Sequence, residues 1–180
     1  MSTVEPIKSK SDLKKLKNFL KEQSFRNYLL FEIGINCGLR ISDILNLDVK
    51  TVKNKDIIKI YEIKTGKYKR FPINKKLKIL INKFTENRND EEPLFISIYK
   101  NRMDRFTAYR ILNTACKELH LDINIGTHSL RKTFGYHFYK KYKDIVLLQK
   151  ILNHSTPSIT LCYIGIEQEK IEEKCRNFIL

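Results

Sequence analysis

The sequence is short of acid, of chain punctuation and of long apolar runs. Only 20 Asp and Glu stand against 35 Lys and Arg, a formal charge of +15 over 180 residues. That imbalance favours a polyanionic partner, nucleic acid first, although a lysine-rich surface is also ordinary solvation. Six glycines and four prolines are spread thinly, with no Pro/Gly/Ser linker, repeat or low-complexity tract. No internal boundary is therefore expected, and the length suits one domain. The four cysteines, Cys37, Cys116, Cys162 and Cys175, form no C-x-x-C pair, which disfavours structural zinc and predicts reduced, buried thiols. No apolar run approaches the roughly 18 residues of a membrane span. Residues 1–10 are polar and lack the apolar core of a signal peptide. The expected location is the cytoplasm, and a membrane is not an expected partner.

The 42% hydrophobic content is ordinary for a globular chain and is arranged mostly at helical spacing. Ser11 is expected to cap a helix carrying Leu13, Leu16 and Leu20. Ser24 is expected to cap another that buries Leu29, Leu30, Ile33 and Cys37 and ends at Gly38. Ser42 starts a short helix. The pattern then changes to a strand running through Ile63, a turn at Thr65-Gly66 and a return strand over 68–73. Helical spacing resumes at Lys75–Asn87. It returns after Asp104 or Thr107, after Thr127 as N-cap, after Asp144 and at Pro157. A last helix carries Ile171, Cys175, Phe178 and Ile179 as one apolar stripe. The fold class is α+β, mostly α-helical, with one small antiparallel β-sheet.

Six residues then stand out in order: Arg40 in GLRISD, Lys64 before Thr65-Gly66, His128 and Arg131 in THSLRKTF, His154 in ILNHSTP, and Tyr163. Taken singly, each has a bland reading: a surface arginine, a hairpin lysine, a capping histidine, a half-buried aromatic. Taken together they suit chemistry on a phosphodiester. Arginine offers phosphate oxygens a planar fork, histidine donates or shuttles a proton, and a tyrosine hydroxyl serves as a covalent nucleophile. His128 and Arg131 share a helix face near its N-terminus, where an anion is favoured. Asp43, three residues after Arg40, is expected to hold Arg40 in its working rotamer.

The order, the spacing and the local words GLRISD, IKTGK, THSLRKTF and ILNHSTPSIT-x-x-YI resemble the tyrosine recombinases of the phage-integrase family, over roughly residues 10–170. The resemblance implies that family's catalytic-domain fold and site-specific DNA cleavage and rejoining through a 3′-phosphotyrosine. It gives Tyr163 as nucleophile and Arg40 and Arg131 as phosphate clamp. Lys64 is then the general acid, His128 assists proton transfer from Tyr163, and His154 donates to a phosphate oxygen. Neither metal, ATP nor any other cofactor is implied. The partner is double-stranded DNA, with Lys67, Lys69, Arg70 and Lys132 as further contacts. Residues 167–180 are expected to dock on a neighbouring copy to form a homo-oligomer on DNA, with packing on the chain's own domain as the ordinary alternative. Met1-Ser2 reads as a natural start. The expectation is thus a single catalytic domain over 1–180 with a flexible lead-in at 1–10 and no N-terminal core-binding domain. Asp43 stands where that family frequently has Glu. A non-catalytic DNA-binding regulator with the same fold, a type IB topoisomerase-like enzyme and a metal nuclease are the competing readings, in falling order.

Overall fold

The structure, a computed structural model, describes residues 4–179. Its centre is α2 (Phe25–Cys37), which buries Tyr28, Leu29, Leu30, Phe31, Ile33 and Cys37 on nearly all sides. A helix that is apolar all round must be covered all round. α1 (Lys10–Gln23), α5 (Lys75–Thr85) and α7 (Thr127–Tyr142) supply the cover. Between them run α3 (Ile41–Leu45), α4 (Val49–Val52), the hairpin β1 (Ile57–Tyr61) and β2 (Tyr68–Pro72), and α6 (Arg105–Glu118). α8 (Ile145–Leu152), α9 (Pro157–Tyr163) and α10 (Ile166–Arg176) follow α7. The sheet is a two-stranded antiparallel ladder in which Ile58 pairs with Phe71 and Tyr61 with Tyr68.

The core has three parts. One joins α2 to α3, α4, the inner face of the hairpin and α5 through Ile44, Val52, Ile58, Phe71 and Ile81. The second lies on the opposite face of α2, against α1, α6 and Leu130. The third is smaller and sits under α7, where Tyr136, Leu148, Leu152, Ile164 and Ile166 meet. The site assembles where these parts converge, at the C-terminal ends of α2, α8 and α9.

Several local expectations shift. α1 is capped by Ser9, whose Oγ accepts from the Asp12 N–H at 3.2 Å, two residues before Ser11. α7 is capped by Gly126, whose N–H donates to Ser129 Oγ at 3.0 Å, so Thr127 is already helical. β1 ends two residues earlier than expected, because residues 62–67 fold into a turn around Glu62, and β2 stops at Pro72, one residue early. The lead-in expected to be flexible over 1–10 is instead packed from residue 4 on, with Met1–Thr3 lying outside the described residues. Ile7 is fully buried and its N–H donates to Thr133 Oγ1 at 2.8 Å, while the Glu5 N–H reaches the Asn124 carbonyl at 2.9 Å. Pro6 is buried beside Ile7, and the Ile7 carbonyl lies 2.9 Å from His137 Nε2. Only Cys37 and Cys116 are the buried thiols expected; Cys162 and Cys175 are exposed on the outer sides of α9 and α10.

The approach of α7 to α2 is set by Gly34. A Cβ there would lie 2.5 Å from Leu130 Cδ1 and 2.8 Å from its Cβ, and the second of these atoms has no rotamer to escape by. Gly34→Ala is expected to lower stability by about 1–3 kcal/mol, the usual range for overpacking. A thermal melt checks this; an unchanged midpoint would show that the two helices can separate freely.

Candidate active site

Arg131 lies on the second turn of α7 and is 2% exposed. Its Nη1 donates to the Gly38 carbonyl and its Nη2 to the Leu152 carbonyl, both at 2.6 Å. Those carbonyls belong to the C-terminal ends of α2 and α8, where unpaired acceptors and the helix dipole favour a cation. The buried guanidinium is thus partly spent on tying two helix ends together. Gly38 makes the first contact possible by closing α2 in the left-handed region, at φ 63°.

Arg40 follows two residues later as the N-cap of α3. Its Nη1 donates to Glu62 Oε1, and the pair is nearly dry, with side-chain exposures of 15% and 0%. The rotamer is therefore held by Glu62 and not by Asp43, which corrects the expectation from GLRISD. Asp43 is buried and uses Oδ1 to accept the Ile63 N–H at 3.0 Å, while Oδ2 has no hydrogen-bond partner among the described residues. Burial pushes its carboxyl up, opposed by that bond and by the fields of Arg40 and Arg131. Asp43 supports the hairpin, and Glu62 supports the arginine.

Tyr163 closes α9. Its ring stands edge-on to His154 with centroids 4.8 Å apart, and the Lys132 ammonium lies over its face at 5.1 Å. Burial raises the phenol above its ordinary range, while the positive charges of Arg131 and Arg40 pull it back. The hydroxyl therefore shares its neighbourhood with both arginines of its own chain. Lys132, expected as a DNA contact, is 8% exposed and sits against the Tyr163 ring.

His154 follows Asn153, which ends α8 in the left-handed region. Its Nδ1 is 3.1 Å from Thr160 Oγ1, and that hydroxyl donates its one proton to the Thr156 carbonyl at 3.2 Å. The network assigns the proton of neutral His154 to Nδ1 and leaves a lone pair on Nε2. Burial, then Arg131 and Arg40, push its pKa down to about 4. His128, the second residue of α7, is also lowered, by burial first and then by Arg105, Arg131, Lys132 and Lys64. Lys64 itself is exposed on the turn, and its field reaches His128.

The structure thus gathers Arg40, Arg131, His154 and Tyr163 tightly, with His128 and Lys64 on one flank. Two of the expected DNA contacts are engaged within the chain: Lys67 Nζ donates to Asn153 Oδ1 at 3.2 Å and Lys69 Nζ to the Lys150 carbonyl at 3.0 Å. Both brace the hairpin against the end of α8. Arg70 is exposed. Glu62 and Thr160 were missed. Ile58, Ile60 and Glu62 share the inner face at strand spacing, so an acid in that register was the available signal. Thr160, three residues before Tyr163 on one helix face, gave a weaker one.

The phage integrase family model matches residues 9–170. The probable integrase/recombinase YoeC of Bacillus subtilis is 48% identical over 170 residues, 94% of this chain and 93% of that protein. Tyrosine recombinase XerA of Pyrococcus horikoshii is 28% identical over 155 residues, 83% of this chain and 54% of XerA. The chain therefore spans nearly all of the first relative and about half of the second. A crystal structure of XerA recombinase superposes with a TM-score of 0.78 at 21% identity, over 97% of this chain and 66% of that one. XerH site-specific recombinase bound to palindromic difH substrate does so with a TM-score of 0.69 at 21% identity, over 96% and 53%. At that identity the likeness concerns the fold, and it is the fold of recombinase catalytic domains.

A depressed histidine has a definite consequence for stability. The unfolded chain takes up the His154 proton near its ordinary pKa of 6.5, and the folded chain only near about 4. Between those values the unfolded state binds more protons, so stability falls as pH falls. His128 adds a loss of the same sign. Denaturant titrations from pH 7 to pH 4 are expected to show a shallower loss in His154→Gln than in the parent. Equal slopes would mean that the ring titrates as it does in water.

Proposed function

The chain belongs to the phage integrase family, and on that premise we propose that it cuts and rejoins double-stranded DNA at specific sites through a 3′-phosphotyrosine. One observation carries this reading: the tyrosine, both arginines and His154 meet within a single chain, with the Tyr163 ring edge-on to His154 and its hydroxyl in the field of Arg131 and Arg40. That arrangement favours cleavage in cis, since no second copy is needed to complete the cluster.

In the proposed reaction Tyr163 Oη attacks the scissile phosphorus as the bond to the 5′-oxygen breaks. The phenolic proton passes to neutral His128, and Lys64 supplies a proton to the departing 5′-oxygen. Arg40 and the N–H groups that Arg131 does not spend on carbonyls face the non-bridging oxygens, whose charge grows in the transition state. Donation by His154 from Nε2 requires the other tautomer, which the Thr160 hydroxyl permits by turning its proton from the Thr156 carbonyl to Nδ1. Attack by another 5′-hydroxyl reverses each step. The covalent link conserves the phosphodiester, so rejoining draws on no nucleotide triphosphate.

Tyr163→Phe keeps the ring that packs on His154 and removes the oxygen. It is expected to bind DNA and to form no covalent adduct on a denaturing gel; an adduct of normal yield would reject Tyr163 as nucleophile.

The tail supports a role in assembly on DNA. Ile171, Phe178 and Ile179 are 51%, 71% and 89% exposed, while the root of α10 is fixed by Glu169, which accepts from Tyr136 and pairs with Lys140 and Lys8. An apolar tip on a fixed root is suited to a neighbouring copy. Phe178→Asp with Ile179→Asp is expected to leave the melting temperature unchanged and to weaken self-association on DNA, read by sedimentation. Unaltered assembly would remove the tail from the interface.

A further inference from the structure

Glu62 has no part in the reaction just described, yet it is the most fully engaged carboxylate near the site. We propose that Glu62 is a positioning residue that sets the phosphate-binding Arg40 and the general acid Lys64 relative to each other, one carboxylate oxygen bonding Arg40 and the other the hydroxyl of Thr65, the residue after Lys64. The inference rests on the reading of Lys64 as general acid.

A buried carboxylate is costly unless its oxygens are bonded. Glu62 is 1% exposed, and both oxygens are used. Oε1 accepts from Arg40 Nη1, and Oε2 accepts from Thr65 Oγ1 at 2.7 Å. The backbone of Glu62 closes the same turn. Its N–H donates to the Lys67 carbonyl at 3.0 Å, and its carbonyl accepts from Gly66 N–H at 2.8 Å and Thr65 N–H at 3.3 Å. On the other side of Lys64's position, Ile63 N–H is held by Asp43 Oδ1 at 3.0 Å. The backbone on either side of Lys64 is therefore tied to a buried acid, although the lysine itself projects into solvent.

A lysine has four rotatable bonds and a general acid works only within hydrogen-bond reach, so its efficiency depends on how firmly its backbone is aimed. Fixing the turn does this without touching the ammonium. The contact with Arg40 means that the two groups acting on one phosphate are referenced to a single side chain. If Glu62 merely balanced the charge of Arg40 and Arg131, the hydroxyl of Thr65 would be irrelevant to rate. If it aims Lys64, that hydroxyl matters, and it matters only while the leaving oxygen needs a proton.

The test uses a duplex whose crossover site is recovered from a random-sequence pool by covalent capture with the wild-type chain, prepared with either oxygen or sulfur at the bridging 5′-position. A thiol, with a pKa of about 8.5, departs as thiolate without protonation, whereas an alkoxide does not. Thr65→Val removes only a hydroxyl at an exposed position, so it keeps the test sound if Glu62→Gln folds poorly. Lys64→Ala is the reference for a lost general acid. On the oxygen substrate, Thr65→Val and Glu62→Gln are expected to slow cleavage about tenfold or more, toward the range lost with a general acid. On the sulfur substrate Thr65→Val should cleave at the wild-type rate. Glu62→Gln should recover in part, keeping only the share due to Arg40. Equal losses on both substrates, or no loss for Thr65→Val on oxygen, would overturn the proposal and leave the function standing. If the wild-type chain captures neither duplex, the function itself fails and the proposal with it.

Discussion

The buried guanidinium of Arg131 is the interaction on which the site depends. It bonds the last carbonyls of α2 and α8 at once, so the central helix and the helix before His154 are fixed to each other through it. Removing it leaves two helix-end acceptors facing no donor, at a cost of about 1–3 kcal/mol each. An inactive Arg131 variant therefore says little about phosphate binding unless its fold is measured too. The side chain proposed to bind phosphate is also scaffold, and α7 approaches α2 closely at Gly34, on the same side as the Gly38 carbonyl it reaches.

Charge explains the rest of the layout. Arg40 and Arg131 lie close enough for each to affect the other's neighbours, and like charges in a dry site repel. Asp43 on α3 and Glu62 beside the hairpin lie buried next to them and offset part of that repulsion, with Lys132 adding a further positive charge over Tyr163. Neutral histidines complete the site. An arriving phosphate meets arginines whose charge is already partly offset. Its attraction then comes from preorganised N–H groups more than from a bare excess of positive charge. The excess lies on the outer surface, where it can steer a polyanion.

Most of the fold was readable because helical periodicity is a local signal. Leu29, Leu30, Ile33 and Cys37, the stop at Gly38, the Asp144 cap and Pro157 opening α9 are each fixed by the chain within a turn of themselves. Failures arose where a partner distant in sequence decided the outcome. Ile7 looked like part of a mobile lead-in until Thr133 accepted its N–H from 126 residues away. Asp43 was assigned to Arg40 because they are near in sequence, but the chain delivers Glu62 to Arg40 from across the hairpin. The six residues themselves were legible by type, order and spacing. What spacing could not give was their engagement: Lys132 against Tyr163, Lys67 and Lys69 bonded to the end of α8, and a histidine held in one tautomer by Thr160.

The root of α10 and its tip answer to different forces. Glu169 is held by Lys8 and Lys140 at 30–44% side-chain exposure, a setting in which added salt weakens attraction. Phe178 and Ile179 are apolar, and excluded salts such as sulfate strengthen the drive to cover them. The C-terminal segment, α10 and the residues after it, thus carries two opposed responses to ionic strength. Concentrated salt weakens the ion pairs at the root, leaving buried Ile166 to hold it, while it strengthens the drive to cover the apolar end.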